Sequence, residues 1–562
     1  MSTIVATNIT SPLGLTTDSN CEAVKAGRTA LKVMDGCLGV SGRFCVGMFD
    51  EAAREKLTPE GFSWFESLLM HSVADALSRC DVDPASPRTA LIVGTSTAGV
   101  GELGEVPEKD GVWLAPGLAV AKVARALGFV STPLVASTAC ISGATAQMLA
   151  ERLLAAGDFD AAVVCGVDVL SAFVLAGFSS FKALSPTFCR PFDIERLGLN
   201  IGECAATLVI KNTDVPGWRI AAGCLNNDAY HVSAPEPGGD GMRRSIERVL
   251  TPELRESLAC VTAHGTATMF NDQMESKGIE AAGLSNLPLT ALKGHYGHTF
   301  GASGLLEAIV TMRLLDEGLV PPVHGFSELG VSGRINVCSR PVHTDGRAFI
   351  KTQSGFGGGN ASVVYSRTSA TASALAPVSC AAMRSLSITP DRFVLDGSPV
   401  PLESKGADAV TEIFKKFVAD GSRFFKMDLY SRLAYAGTAL LAKDTLEGTA
   451  PEERACIIFT GNGSVLADRK HLASFSTPGE FYPSPAVFIN TLPNIVLGEI
   501  AVRFGVKGET SLVMLPGRDD ALMDRIVDLT VRSTRPAAVI CGWVDCGSED
   551  SFEADLKLIK TR

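Results

Sequence analysis

Positive charge and paired cysteines are the features that this sequence most lacks. Its 50 lysines and arginines are outnumbered by 61 aspartates and glutamates, and the net charge is −11. That balance disfavours nucleic acid and anionic membranes as partners. The 15 cysteines form no CxxC pair and show no regular spacing, which argues against a disulfide framework and a zinc site. We therefore expect no metal and a reducing compartment.

The sequence also shows no signal for export and no signal for membrane insertion. The first residues lack the basic region of a signal peptide. The longest apolar run, residues 161–178, is interrupted by Asp168, and no run has the length of a membrane-spanning helix. These features predict a cytoplasmic protein without a membrane span.

Apolar residues and glycine are abundant instead. Of the 562 residues, 46% are hydrophobic and 55 are glycine, whereas 20% are charged, a composition typical of a large, compact α/β enzyme. Buried-strand patterns at 4–7, 89–93 and 161–167 alternate with helical patterns at 62–80 and 141–156. This alternation predicts a sheet that is covered on both faces.

One short stretch predicts a strand, a tight turn and a helix around a cysteine. An apolar approach ends at Val135, small residues follow, and Cys140 stands directly before the helical pattern. A helix N-terminus favours an anion, so we expect the pKa of this thiol to lie below the ~8.5 of free cysteine. The alternative is an ordinary buried cysteine, which is the default for any single cysteine.

Two of the eight histidines stand in glycine-rich settings. His264 lies in Thr-Ala-His-Gly-Thr-Ala-Thr, with Glu275 further along, and His298 ends the stretch Lys-Gly-His-Tyr-Gly-His that begins at Lys293. A third glycine-rich stretch, residues 354–360, lacks the spacing and the lysine of a phosphate-binding loop. Taken alone, each histidine is explained as well by a structural role as by catalysis.

The cysteine turn, the two histidine stretches, the 354–360 loop and Arg-Pro-Phe-Asp at 190–193 together resemble the β-ketoacyl-acyl carrier protein synthases. These are the thiolase-fold condensing enzymes of fatty acid and polyketide synthesis. The resemblance covers about residues 1–370 in the right order. It implies a thiolase-like five-layered α-β-α-β-α fold, with halves at about 1–212 and 213–370.

The resemblance also implies roles for individual residues. Cys140 falls on the nucleophile that carries the acyl group, and His264 and His298 fall on the pair that drives decarboxylation. Lys293 falls on a lysine that tunes the site, and Glu275 on a supporting acid with which it is expected to pair. Gly355, Phe356 and Gly357 are implied to form the oxyanion hole and the gate of the site. Thr266 and Thr268 are implied to bind the pantetheine arm.

The implied reaction is the decarboxylative Claisen condensation of an acyl thioester with malonyl-acyl carrier protein, giving a β-ketoacyl-acyl carrier protein. A thiolate suits acyl transfer because it is both a nucleophile and a leaving group, and two neutral histidines can stabilise the enolate through Nε2–H. No cofactor is implied, since phosphopantetheine arrives on the carrier protein. Two alternatives remain: an acyltransferase that does not decarboxylate, and a non-catalytic chain-length or acyl-transfer partner of another ketosynthase.

Departures and motif details bear on the substrate. Four positions differ from the family pattern, which predicts a looser loop and a differently shaped acyl pocket: Ala267, Met269, Ser354 and Gly359. The fused arrangement and the glycine-rich motifs are similar to those of aryl polyene-type ketosynthases, in which the growing chain is polyunsaturated and carrier-bound. Ordinary fatty acid synthesis is the alternative.

The last part of the chain partly repeats the first. Residues 454–461 echo 88–94, and 537–545 echo 161–168, in the same order. Aligning the copies places Gly517 where the first copy has Cys140, so the second copy has no nucleophile.

We interpret residues 386–562 as a truncated copy of the N-terminal half, joined to the first unit by a linker at 371–385 that is rich in alanine and serine. The expected assembly is a homodimer or a pairing with this half copy. Our hypothesis is a chain-length-factor-like α/β module that packs on a ketosynthase unit, in its own chain or a neighbour's, and helps bound the acyl pocket. The alternative is a decayed duplicate kept for solubility or stability.

Overall fold

The computed structural model describes residues 2–103, 115–367, 375–476 and 482–561. The first part of the chain alternates strands and helices as the sequence predicts. Its elements are β1 (Ser2–Thr10), α1 (Thr17–Lys25), β2 (Leu31–Cys37), β3 (Val40–Gly47), α2 (Glu51–Leu57), α3 (Trp64–Ser78), β4 (Thr89–Gly94), α4 (Pro116–Ala126), β5 (Leu134–Ala136), α5 (Ser142–Ala155), β6 (Ala161–Asp168), α6 (Ala172–Ser180), β7 (Ile201–Gly202) and β8 (Cys204–Asn212).

The middle of the chain builds a second sheet with its own helices. Its elements are β9 (Arg219–Asn227), α7 (Asp240–Val249), α8 (Pro252–Ser257), β10 (Leu258–Thr262), α9 (Met269–Ala281), β11 (Pro288–Thr290), α10 (Lys293–Tyr296), α11 (Ser303–Asp316), β12 (Leu319–Val320), β13 (Asn336–Val337), β14 (Val342–His343), β15 (Ala348–Gly355) and β16 (Gly359–Ser366).

The C-terminal part adds a third set. Its elements are β17 (Cys380–Thr389), β18 (Arg392–Leu395), β19 (Ser398–Pro399), α12 (Ala407–Ile413), α13 (Leu429–Ala442), β20 (Arg454–Thr460), α14 (Val465–Ser476), α15 (Pro485–Phe488), α16 (Ile495–Phe504), β21 (Thr510–Met514), α17 (Asp520–Thr534), β22 (Ala538–Ser548) and β23 (Ser551–Thr561).

Two buried helices, α5 and α11, lie between the first two sheets and give the unit its five layers. One sheet contributes the strand order β1-β8-β6-β4-β5, and the other has the order β13-β11-β10-β15-β16-β9. The helices touch closely, since a Cβ on Gly143 would lie 2.5 Å from Leu305. Helix α3 covers the outer face of the first sheet, and α7 covers that of the second. The predicted thiolase-like α-β-α-β-α fold is confirmed.

The C-terminal part is a half copy of the first unit, as the internal repeat predicts. Its strand order β21-β20-β22-β23-β17 matches β5-β4-β6-β8-β1 strand by strand. An aspartate is also retained at the equivalent position, buried in the first copy and partly buried in the second. Asp168 accepts hydrogen bonds from Thr95 Oγ1 and the following backbone N–H groups, and Asp545 does the same with Thr460 and the residues after it.

The two copies join edge to edge through an antiparallel pairing of β5 with β21. Ala136 pairs with Val513, its own counterpart in the repeat, and Val135 pairs with Met514. The Ser137 N–H donates to the Leu512 carbonyl at 3.1 Å. Within the described chain, twelve strands thus form one continuous sheet. The half copy therefore docks on its own chain and occupies the β5 edge of the first sheet.

A buried ion pair crosses this joint. Arg152, on α5, donates from both terminal nitrogens to the Glu509 carboxylate, at 2.8 and 2.6 Å. The arginine is 7% exposed and the glutamate 3% exposed. Thr530 Oγ1 also accepts from the arginine at 3.1 Å. This bidentate geometry ties α5 to the half copy.

The predicted linker is only partly a linker. Residues 371–374 lie outside the described residues, but 380–385 belong to β17, which pairs with β23. The prediction is therefore wrong for 380–385, because an alanine- and serine-rich composition does not prevent a strand when a neighbouring strand supplies its hydrogen bonds.

Among the described helices, none is by itself long and apolar enough to cross a membrane. The segments Pro485–Thr491 and Ile495–Phe504 meet that criterion jointly, with a bend of 100° between them.

Candidate active site

The cysteine turn has the predicted strand–turn–helix form. Strand β5 ends at Ala136, a single 3-10 turn spans Ala139–Ile141, and α5 starts at Ser142. Ala139 has a φ of +52°, a left-handed conformation that is costly for a residue with a Cβ. This strained turn presents Cys140 at the N-terminal end of α5.

Both predicted histidines lie beside the cysteine. Cys140 Sγ and one ring nitrogen each of His264 and His298 are all within 4.8 Å of one another. The two rings meet edge to face, with centroids 5.1 Å apart. His264 follows β10, and His298 lies between α10 and α11. Residues far apart in the sequence therefore converge on the sulfur from the second sheet and from the central layer.

The hydrogen bonds of the two Nδ1 atoms assign the tautomer of each histidine. Lys293 Nζ lies 3.2 Å from His264 Nδ1 and can only donate. The backbone N–H of Phe300 donates to His298 Nδ1 at 3.2 Å. In both rings the proton is consequently on Nε2, which is free to donate into the site. Burial, followed by the charge of Lys293, lowers the pKa of both imidazoles well below the ordinary value, so both are neutral at neutral pH.

The thiol itself departs from its predicted state. Burial raises the pKa of Cys140 to about 12, although Lys293 and the backbone N–H groups of Cys140 and Phe356 act to lower it. The expectation of a lowered pKa is therefore wrong, because desolvation outweighs the helix N-terminus. The resting site holds a neutral thiol beside two neutral imidazoles.

Lys293 and Glu275 do not form the expected pair. Lys293 donates to Glu307 at 2.7 Å and to the His264 carbonyl at 2.6 Å. Glu275 instead accepts the backbone N–H groups of His264 and Gly265, at 2.7 and 2.8 Å. Its role in this structure is to hold the backbone of the first histidine.

Two buried charged residues of the site were missed from the sequence. The Glu307 carboxylate lies between Lys293 and Lys351, with each ammonium 2.7 Å away. Glu307 is a lone carboxylate inside the apolar stretch of α11, and Lys351 is a lone ammonium inside β15. A single charge within an otherwise buried pattern was the available signal, because such charges require partners.

The gate loop, here defined as residues 355–358, borders the cysteine on the other side. The Phe356 N–H and the N–H of Cys140 itself both point at the sulfur. A Cβ on Gly355 would lie 3.2 Å from the Cys140 nitrogen, so glycine permits the approach. Gly357 has a φ of +87°, which favours glycine. Two converging N–H groups are the arrangement that an oxyanion hole requires.

A cavity of about 320 Å³ leads to these groups. Its lining includes Cys140, both histidines and Phe356, together with the predicted pantetheine contacts Thr266 and Thr268. The two threonine hydroxyls lie 2.9 Å apart. The structure thus brings every predicted site residue to one cavity or directly behind it.

Two family models match the chain within residues 3–327, and curated proteins are similar to part of it. Residues 3–215 match the family model of the β-ketoacyl synthase N-terminal domain, and residues 219–327 match that of its C-terminal domain. A 3-oxoacyl-[acyl-carrier-protein] synthase 2 of Mycobacterium leprae is 31% identical over 258 residues, which cover 42% of this chain and 60% of that protein. The protein of the same name from Vibrio cholerae is 28% identical over 404 residues, covering 64% of this chain and 96% of that protein.

Solved structures match both the first unit and the whole chain. A ketosynthase in complex with its chain length factor, from Xenorhabdus doucetiae, has a TM-score of 0.55 at 27% identity, covering 65% of this chain and 97% of that one. A keto synthase–chain length factor named PfaC has a TM-score of 0.75 over 100% of this chain and 78% of that one. At 16% identity, the second likeness concerns the fold alone.

Proposed function

This chain belongs to the β-ketoacyl synthase family, and from that premise we propose that it condenses a carrier-bound acyl thioester with malonyl-acyl carrier protein. The observation that carries the proposal is the placement of two Nε2–H imidazoles within 4.8 Å of a cysteine sulfur. A plain acyltransferase needs one base beside its nucleophile, whereas a second neutral donor is suited to a developing enolate.

Acyl transfer comes first in the proposed reaction. Cys140 Sγ attacks the thioester carbonyl, and the oxyanion is held by the N–H groups of Cys140 and Phe356. The thiol proton passes to the departing pantetheine sulfur as the thioester carbon–sulfur bond breaks, and both histidines keep their proton on Nε2. The neutral state of the resting thiol requires this transfer, since a free thiolate is too costly at a site this buried.

Decarboxylation and condensation follow. The malonyl carbon–carboxylate bond breaks, carbon dioxide leaves, and the electron pair becomes an enolate whose oxygen accepts from the Nε2–H groups of His264 and His298. The enolate carbon then attacks the acyl-cysteine carbonyl, and the same oxyanion hole holds the new oxyanion. The carbon–sulfur bond breaks, and the Cys140 thiolate takes up one proton from solvent to restore the thiol. Lys293 keeps His264 in the donating tautomer throughout.

Replacing His298 by alanine is expected to separate the two half-reactions. One enolate donor is lost, so malonyl decarboxylation should fall about 100- to 1000-fold, while Cys140 still acquires acyl from the thioester. Mass spectrometry of the acyl adduct and release of labelled carbon dioxide measure the two steps. Substituting His231, an exposed histidine that is not one of the two beside Cys140, provides the matched control. A variant that fails to acylate at all would show that the roles are assigned wrongly.

We further propose that the half copy acts as a chain-length-factor-like module. It has Gly517 at the position of the nucleophile, and its Phe488 packs on the first unit beside the acyl cavity. The Phe488 ring lies 5.5 Å from that of Phe178 and 6.0 Å from that of Phe181, and both of those rings line the cavity. Phe488 thus supports the cavity wall from behind.

Replacing Phe488 by alanine is expected to favour longer acyl chains, with about tenfold or more in preference for each extra methylene that the cavity admits. A panel of saturated and polyenoyl carrier-protein thioesters measures the shift. The same panel tests whether the wild type prefers polyenoyl chains, as the similarity to aryl polyene-type ketosynthases leads us to propose. Phe475→Ala is the matched control, because the ring contacts of Phe475 are with Phe173 and His471, further from the cavity. An unchanged length profile in Phe488→Ala would contradict the module's role.

A further inference from the structure

The gate loop is held by the half copy as well as by its own unit. The side-chain amide of Asn494, which precedes α16, donates from Nδ2 to the Phe356 carbonyl at 2.8 Å. Asn494 is 5% exposed. The N–H of the same phenylalanine points at the Cys140 sulfur. Both backbone polar groups of Phe356 are therefore engaged, one by the nucleophile and one by the second copy.

Neighbouring contacts leave the loop little room to move away from this bond. A Cβ on Gly498, one turn along α16, would lie 2.9 Å from Gly357 Cα, so α16 rests directly on the gate-loop backbone. Asn227 Nδ2 donates both to the Gly357 carbonyl at 2.8 Å and to Thr510 Oγ1 at 3.1 Å. Thr510 lies on β21, the strand that joins the two copies, so the joint and the gate loop share a hydrogen-bond network.

Only the Nδ2 atom of the Asn494 side-chain amide has a hydrogen-bond partner among the described residues. Its Oδ1 has no hydrogen-bond partner among the described residues, although it is buried. Leaving a buried acceptor unpaired is destabilising, and an apolar residue of similar size would avoid that cost. The bond from Nδ2 to the gate loop is what an asparagine supplies at this position.

We propose that Asn494 is a positioning residue for acyl transfer: by holding the Phe356 carbonyl, it fixes the Phe356 N–H where the oxyanion forms on Cys140. The inference rests on the proposed function and adds a catalytic contribution of the half copy that is separate from chain length. Since fixing one end of a residue restricts the torsions that aim its other end, loss of the bond impairs oxyanion stabilisation and not substrate binding.

The test is Asn494→Asp, which keeps the shape but places an acceptor against the Phe356 carbonyl. We expect the maximal rate constant of Cys140 acylation, here called kcat, to fall about 10- to 100-fold. The KM for the acyl-carrier thioester should change little. Lowering the pH protonates the new carboxyl, whose O–H can then donate. The ratio of variant to wild-type kcat should therefore rise as the pH falls from 8 to 5.5, which a merely misfolded protein would not reproduce.

Two further variants bracket the result. Gly498→Ala pushes on Gly357 without touching the hydrogen bond and should lower kcat in the same way, but without recovery at low pH. Asn490→Asp is the matched control, since the hydrogen bond described for the Asn490 side chain stays within its own segment, at the Ala486 carbonyl, and this variant should leave kcat unchanged. Equal kcat for Asn494→Asp and wild type, or a loss that does not respond to pH, would overturn the inference. If the wild type itself does not acylate Cys140, the proposed function fails instead.

Discussion

Cys140→Ala should remove both acylation and condensation entirely. The substitution deletes the sulfur that forms the thioester, and the two imidazoles beside it present Nε2–H donors to the site rather than a free lone pair. The fold should be kept, because the side chain is small and the turn geometry depends on Ala139 and the following helix. Mass spectrometry after incubation with an acyl thioester should show no adduct, and product analysis should show no β-ketoacyl chain.

Cys165→Ala is the control for this experiment. Cys165 is also a fully buried thiol, on β6, and burial raises its pKa to about 12 as it does for Cys140. It lacks the histidines, so acylation and condensation should persist at wild-type rates. Retained condensation in Cys140→Ala, or an adduct that maps to another cysteine, would refute the assignment of the nucleophile.

The site could be anticipated from the sequence where the chemistry is local. The turn at Cys140 and the stretches that contain His264 and His298 each carry their signal in adjacent residues, and the resemblance joins them. The pairing of Lys293 was not local. Its partner Glu307 lies one helix further along, and the expected partner Glu275 is used by the backbone of His264. The acid that pairs with Lys293 depends on how α11 packs, and the local sequence pattern around Lys293 does not show that packing.

The prediction of a lowered pKa for the Cys140 thiol was wrong for a related reason. A helix N-terminus can be read from the sequence, whereas the depth of burial follows from the closure of the second sheet and the gate loop over Cys140. Desolvation grows with burial and here exceeds the dipole effect. The contribution of Asn494 was equally out of reach, because it arises only when the half copy folds back onto the first unit.

The side chains of β23 argue against a decayed duplicate. Its equivalent in the first copy, β8, is buried on both faces over Cys204–Ile210. In β23, buried Ala554, Leu556 and Leu558 alternate with partly exposed Asp555 and Lys557. One face therefore meets the core and the other meets water, a pattern that suits a sheet with a single covered face. A decaying sequence would not be expected to acquire this alternation.

Reversing the charge at the joint is expected to have the largest effect on stability. In Glu509→Lys, two cations would face each other at a position that is almost fully buried, next to Thr530. Breaking a buried ion pair on one side costs about 3–5 kcal/mol, and here the loss would loosen the half copy from α5, whose N-terminus carries Cys140. Denaturant unfolding should therefore show a drop of this size, accompanied by a fall in acylation.

A double variant and an exposed pair make the experiment decisive. Combining Glu509→Lys with Arg152→Glu restores opposite charges, and recovery of a large part of the lost free energy would show that the pair itself is responsible. Asp160→Lys is the matched control: its partner Arg88 is 48% exposed and Asp160 is 63% exposed, and exposed pairs of this kind contribute little to stability. If Glu509→Lys destabilised the protein no more than Asp160→Lys, the joint between the copies would not depend on this ion pair, and the half copy would be held by β5–β21 pairing and apolar packing alone.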